Sequence, residues 1–362
     1  MANSRLLTLS RKDGPALQLN TATFRQLFSD HQHANLYPSI ITFIGRKQKS
    51  NILRELLGGA ESGYPQEYHS QVHLWAAPRK GTTYPVLFAD SEIQCYDQSR
   101  WNCSAPSTGP GAFRKIAWTS AGKIYCKEIA AHIHSKILAP LSHVLVFFAD
   151  DLDGVRGVAH LLAEQIRANL PHDFADATKP HVLVVVPTNS RSPDILQTDT
   201  RLLTLLRTFL GYDEVFADSD IDHVIYSCFR SIRVFSSFQK SSLAAQSEVL
   251  RAEIAVLDRD SRRSRSSDKA LFSYLHQQAL CKSMLESLCQ PSPSAFSFVS
   301  TTRAHGFSCS GLPFHLNNLL NTLPSEGWLW QLVVPLLGSC LLLASYPPDS
   351  HCMYLPWVMF AG

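Results

Sequence analysis

Apolar residues fall into short unbroken blocks separated by stretches in which they recur at three- and four-residue spacing. The blocks 40–44 (IITFI), 84–90 (YPVLFAD), 143–148 (HVLVFF) and 182–186 (VLVVV) are too short for helices and rich in Val, Ile and Phe, which predicts strands. The last two have the continuous apolar character of strands buried on both faces of a parallel sheet. Residues 71–76 (QVHLWA) alternate enough for a strand near an edge, and 223–235 form a final strand-like run. Helical spacing predicts helices over 51–57, 123–139, 158–170 and 195–210, with Gly58 and Gly211 standing where a helix would close.

Strand and helix therefore alternate from 38 to 235, the pattern of an α/β fold with a doubly wound, mainly parallel sheet and right-handed crossovers. Beyond 235 the spacing predicts two helices, 242–257 and 270–288, joined by the basic, Ser-rich loop 259–269 (RDSRRSRSSDK). A solvated loop is the simplest role for that stretch; an anion contact or a phosphorylation site is the sharper one. The chain thus divides into a leader (1–37) with one short helix capped by Thr21, an α/β domain (38–240), a helical region (241–325) and an apolar tail (326–362).

The chemistry concentrates in residues 38–57, PSIITFIGRKQKSNILRELL: a strand, a breaking glycine, a basic loop, then Ser50 at a helix N-cap position. This is the outline of a phosphate-binding loop. In the intact form, G-x-x-x-x-G-K-[ST], backbone amides wrap the phosphates, the Lys reaches the outer phosphates and the hydroxyl holds Mg²⁺. Gly45, Lys49 and Ser50 match, and Lys47 adds a second loop cation. The loop is two residues short and lacks the second glycine, which in the intact motif lets the backbone close without a Cβ clash.

Two later strand ends extend the comparison. Asp90 stands where D-x-x-G would supply a Mg²⁺ carboxylate, but Ile93 replaces the glycine; Asn189 stands where N-K-x-D would read guanine, but Ser190, Arg191 and Ser192 follow it. The base is left unassigned. Gly45, Asp90, Asp150 and Asn189 each end a predicted strand, and sites in such sheets lie at the carboxyl ends of strands. The candidate nucleotide-binding residues are therefore Gly45, Lys47, Lys49, Ser50 and Asn189, with Ser50 and Asp90 for a metal ion. The expected cofactor is GTP or ATP with Mg²⁺, and no catalytic residue is assigned.

Other clusters are weaker. Asp150, Asp151 and Asp153 with Asp90 could gather on a divalent ion, although acidic strand ends are more often solvated loop starts. His132 and His134 lie two apart on a helix, hence on different faces. DGVRG at 153–157 and GFSCSG at 306–311 look like fragments of a hydrolase oxyanion turn and nucleophile elbow, but glycines are missing from the first and Ser310 stands where the second should close.

Composition narrows the classes. With 45% apolar residues a sizeable core can form, while a net charge of +3 at 17% charged residues gives no argument for nucleic acid as a partner. Nine scattered cysteines without C-x-x-C pairs fit reduced thiols in a cytoplasmic protein. The first twenty residues contain no apolar run of signal-peptide type. Residues 328–344 (WLWQLVVPLLGSCLLLA) are uncharged, reach the lower length limit of a membrane span and are interrupted by Pro335. A tail anchor and a buried terminal helix are both compatible with them.

The succession YPSIITFIGRKQKSNILRELL, VHLWAAP, YPVLFADSE, RKIAWTSAGKIYCKEIAAHIHSKILAPLSHVLVFF and HVLVVVPTN resembles the N-terminal P-loop, GTPase-like region of large fungal proteins that also carry a patatin-like phospholipase domain. The resemblance covers roughly 36–320 and rests on motif order. It implies that Lys49 and Ser50 are counterparts of the phosphate-binding Lys and the Mg²⁺-binding hydroxyl, and that Asp90 and Glu92 match the acidic end of the third strand. The shortened loop and Ile93 depart from that pattern, which implies a degenerate module with a regulatory or interaction role toward an unidentified protein partner. A competent NTPase and a tail-anchored scaffold are the alternatives.

Overall fold

The computed structural model describes residues 4–10, 16–20, 37–59, 71–78, 84–92, 114–117, 126–168, 176–188, 195–216, 219–238, 242–268, 270–290 and 326–335, with single positions at 23, 27, 317–318, 320–321 and 337–338. In chain order these form β1 (Ser4–Ser10), β2 (Ala16–Leu19), β3 (Ser39–Ile44), α1 (Lys47–Leu56), β4 (Gln71–Ala76), β5 (Val86–Ser91) and β6 (Arg114–Lys115). Helix α2 (Cys126–Ile133) runs on through a π turn, His134–Leu138, into Ala139–Leu141. Then come β7 (Val144–Phe148), a 3₁₀ turn (Ala149–Leu152), α3 (Gly154–Ala168), β8 (His181–Thr188), α4 (Ile195–Gly211), α5 (Ile221–Cys228), β9 (Ser231–Phe238), α6 (Leu243–Ser267) and α7 (Tyr274–Leu288).

The strands make one sheet in the order β6-β2-β1-β4-β5-β3-β7-β8-β9. β3 lies parallel to both β5 and β7, and the parallel half continues through β8 to β9. β4 is antiparallel to β5, and β1, β2 and β6 extend that half with antiparallel pairs. The expectation of a mainly parallel sheet is corrected to a mixed one, because residues 1–37, read as a leader, supply two of the antiparallel strands.

Alternate side chains of the parallel strands enter two layers, as the pleat requires. Ile41, Phe43, Val144, Val146, Phe148, Leu183 and Val185 pack with α1 and α6 residues such as Leu53, Leu56, Leu250 and Leu257. Leu145, Phe147, Val182 and Val184 turn the other way, against Val158 and Leu162 of α3 and Leu202 and Leu206 of α4. The sheet is covered on both faces.

Two further expectations change. The stretch 259–269 is helical as far as Ser267, and two of its arginines, Arg262 and Arg265, find acceptors beside the amino ends of the strands instead of in water. Buried Arg265 donates to the carbonyls of Ser142 (2.7 Å) and Thr178 (3.0 Å), and Arg262 donates to the Tyr37 carbonyl (2.7 Å) and lies 3.7 Å over the Tyr84 ring. The run 223–235 divides into α5 and β9, since Asp220 caps a helix by accepting from the amides of Asp222 (3.0 Å) and His223 (3.4 Å).

In the tail, a helical turn at Glu326–Trp328 continues as a π turn, Leu329–Val333, with Trp328 and Trp330 exposed and Val333 buried. Among the described residues, no helix is long and apolar enough to cross a membrane.

Candidate functional site

The order of the strands creates the site. From β3 the chain first builds the sheet toward β5 and β4, then crosses to the other side of β3 to add β7, β8 and β9. The carboxyl end of β3 is therefore a topological switch point, the position at which open α/β sheets bind their ligands. Gly45 follows β3 there, β5 delivers Asp90 and Ser91 with Glu92 just beyond, and β7 delivers Asp150 and Asp151.

Gly45, Lys49, Ser50 and Asp90 lie together at this end of the sheet, with their polar groups committed internally. Lys49 enters α1 with its side chain fully buried and its Nζ on Asp90 Oδ1, also fully buried. The same ammonium reaches the Ser91 carbonyl (3.2 Å) and Glu92 Oε1 (3.5 Å), and Ser50 Oγ donates to Glu92 Oε1 at 3.3 Å. Lysine and hydroxyl, the two side chains that would meet phosphate and Mg²⁺, both face the acidic end of β5. The cation on these carboxylates is the Lys49 ammonium, so a Mg²⁺ ion would have to take its place. Among the described residues, no group of three or more His, Cys, Asp or Glu side chains is placed to hold a metal.

The loop itself is folded around an anion, and the anion belongs to the chain. Asp151 Oδ2 accepts from the amides of Arg46 (2.7 Å) and Lys49 (2.9 Å), and Asp151 Oδ1 accepts from the amide of Gln48 (3.0 Å). Converging amides at a helix N-terminus form the nest that binds phosphate oxygens in intact loops. α1 has no acidic residue in its first turn, and Arg46 at its N-cap makes no side-chain capping bond, so Asp151 supplies the helix's only described capping carboxylate. Gly45 is required for this fit: a Cβ there would lie 2.8 Å from Asp151 Oδ2 and 3.1 Å from Phe148 Cβ. Asp90, Asp150, Asp151 and Asp153 do not gather into a carboxylate cluster, since Asp90 and Asp151 answer different partners. Asp150, outside the nest, has its carboxyl pushed up by partial burial and by the charge of Asp151.

Two histidines that the sequence did not single out for this site line its inner wall. His134 Nε2 pairs with Ser91 Oγ at 2.9 Å, and His73, opposite Asp90 in the β4–β5 register, pairs with Gln71 Oε1 at 2.8 Å. Burial lowers both to about 4, so near neutral pH they bring no positive charge to the site. Lys47 is exposed at the start of α1, and Asn189 lies outside the described residues.

A second concavity, about 270 Å³, lies between α2 and α3 beside Glu128, His132, Lys136, Glu164 and Arg167. Its arginine is already held by Glu164 (2.9 Å), Asp213 (2.8 Å) and the Phe209 carbonyl (2.7 Å), which makes it an ion-paired seam.

No protein-family profile matches the chain, and no curated protein matches it. Among solved structures it is similar to a dimerization-deficient mutant of Toc33 from Arabidopsis thaliana, with 11% identity, 66% of this chain and 91% of that chain covered, and a TM-score of 0.33. It is also similar to Toc33 from Arabidopsis thaliana in complex with Mg²⁺ and GMPPNP, with 12% identity, 67% of this chain and 91% of that chain covered, and a TM-score of 0.32.

Proposed function

We propose that the chain is a GTPase-like phosphate-loop module that serves as a regulatory or interaction domain and does not hydrolyse nucleotide. The observation that carries this reading is the burial of Lys49 against Asp90 and Glu92, with Ser50 turned to the same carboxylate. Binding a triphosphate through Lys49 would mean pulling a desolvated ammonium away from buried carboxylates. Removing one partner of such a pair typically costs about 3–5 kcal/mol, more than a single phosphate contact returns. The loop has become a structural joint between β3, β5 and β7.

A thermal-shift titration of the full chain with GTP, ATP and their diphosphates, with and without Mg²⁺, tests this. A ligand at a hundred times its Kd would stabilise the fold by about 2.7 kcal/mol, so a binder is readily seen. The expected result is no shift at millimolar nucleotide. Lys49→Ala, by contrast, should lower the melting temperature strongly without any nucleotide, because it leaves Asp90 short of its buried cation. A Mg²⁺-dependent shift in the wild type that disappears in Lys49→Ala would instead establish a working nucleotide site.

A further inference from the structure

We infer that Asp151 is an intramolecular stand-in for an anionic ligand, an autoinhibitory contact that keeps loop 45–50 folded while closing its amide nest to phosphate. The inference rests on reading the module as a phosphate-loop derivative, and it adds what replaced the ligand.

Three features support it. Both carboxylate oxygens are used, on three amides of one loop, at 2.7–3.0 Å. The accepting carboxylate is delivered by a short, fixed connection: the 3₁₀ turn Ala149–Leu152 follows β7 directly and closes on Asp153 at φ 59° and Gly154 at φ 76°. Such a tethered group competes at an effective concentration of about millimolar even for a flexible link, which raises the phosphate concentration needed to displace it. Finally, Gly45 leaves no surplus room, since even a methyl group there would collide with the Asp151 oxygen. The carboxylate fills the space beside Gly45.

A plain helix cap would share the first of these features, so the test separates the two roles. Both predict that Asp151→Ala melts below the wild type. Only a stand-in predicts that an added oxyanion takes the vacated position. Full-length wild type and Asp151→Ala are titrated with pyrophosphate and with inorganic phosphate, against sodium chloride at matched ionic strength, by calorimetry and by melting temperature. The wild type should show no saturable response, whereas Asp151→Ala should gain at least about tenfold in apparent affinity for pyrophosphate, with a saturable rise in melting temperature.

A folded Asp151→Ala that responds to pyrophosphate no more than to sodium chloride overturns the inference. If the alanine variant does not accumulate, Asp151→Asn, which keeps the shape and drops the charge, is read in the same way. If neither accumulates, refolding yield with and without pyrophosphate is the readout, and equal yields overturn the stand-in role. A wild-type nucleotide response removed by Lys49→Ala would overturn the interaction-module reading instead, so the two failures are distinguishable.

Discussion

Gly157 shows how a residue that looks chemical in the sequence proves to be steric. Within DGVRG it stands where a hydrolase turn would offer an amide, yet a Cβ at this position would lie 1.6 Å from the Leu152 carbonyl oxygen. The first turn of α3 has to sit directly on the 3₁₀ turn that carries Asp151, and glycine allows it. Gly157→Ala should therefore destabilise the fold by about 3 kcal/mol, the upper part of the range for overpacked sites. Denaturant unfolding would show a lowered midpoint; an unfolding free energy within about 0.5 kcal/mol of wild type, as surface substitutions give, would contradict the close contact. The residues matching the loop motif were legible for a different reason. Gly45, Lys49, Ser50 and Asp90 keep spacings set by strand ends, and parallel pairing of β3 with β5 places those ends side by side. Which partner each side chain chooses was not legible. That depends on Asp151, over a hundred positions away, reaching the amides first.

At the scale of elements, the parallel half of the sheet was readable because its strands are unbroken apolar blocks, buried on both sides. The antiparallel half was harder to see: β2 has four residues and β6 two, and strands this short are defined by their pairing partners. Helix α6 was underestimated because its basic residues suggest solvent, whereas Arg262 and Arg265 lie against the amino ends of the sheet. The outer edge of β9 carries a related device: Asp199 of α4 accepts from the Val234 amide at 2.7 Å, blunting one donor that could recruit another strand.

The seam between α6 and the sheet also sets a pH response. His143 accepts from the Ile40 amide at 3.3 Å, and burial, together with Arg265, Arg262 and His181, holds its imidazolium form well below the usual range. His181 is lowered to about 4 by burial, with Arg230 and Arg233 acting in the same sense and Asp260 against them. Both are neutral when folded and take up protons on unfolding, so their contribution is fully present above about pH 6.5 and is lost as pH falls toward 4. Each should contribute a slope of about 1.4 kcal/mol per pH unit in that window. Melting temperature should be flat near neutrality and fall through the acid range; a flat profile from pH 7 to 5 would contradict the neutral seam.

For the molecule as a whole, the architecture and the site tell one story. The switch point beside β3 is where an α/β sheet of this order offers a crevice, and here the chain fills it from three directions: β3 provides the loop, β5 its acidic partners, and β7 the carboxylate in the nest. In the reading proposed above, each contact takes a role that a bound nucleotide would otherwise have in holding the loop. The same contacts explain how the fold keeps a shortened loop lacking the second glycine, since an internal anion needs less space than a phosphate chain. Base recognition could not be read at either level, because the sequence lacks the guanine-reading carboxylate and Asn189 lies outside the described residues.

The most direct measurement follows the backbone amides of Arg46, Gln48 and Lys49 by NMR in the full chain while GTP with Mg²⁺ is added to millimolar concentration. If Asp151 holds the nest, these three signals stay in place, and Asp151→Ala moves all three without any nucleotide. Saturable shifts of the three amides on adding GTP to the wild type would mean that the nest opens to phosphate and that Asp151 does not close it.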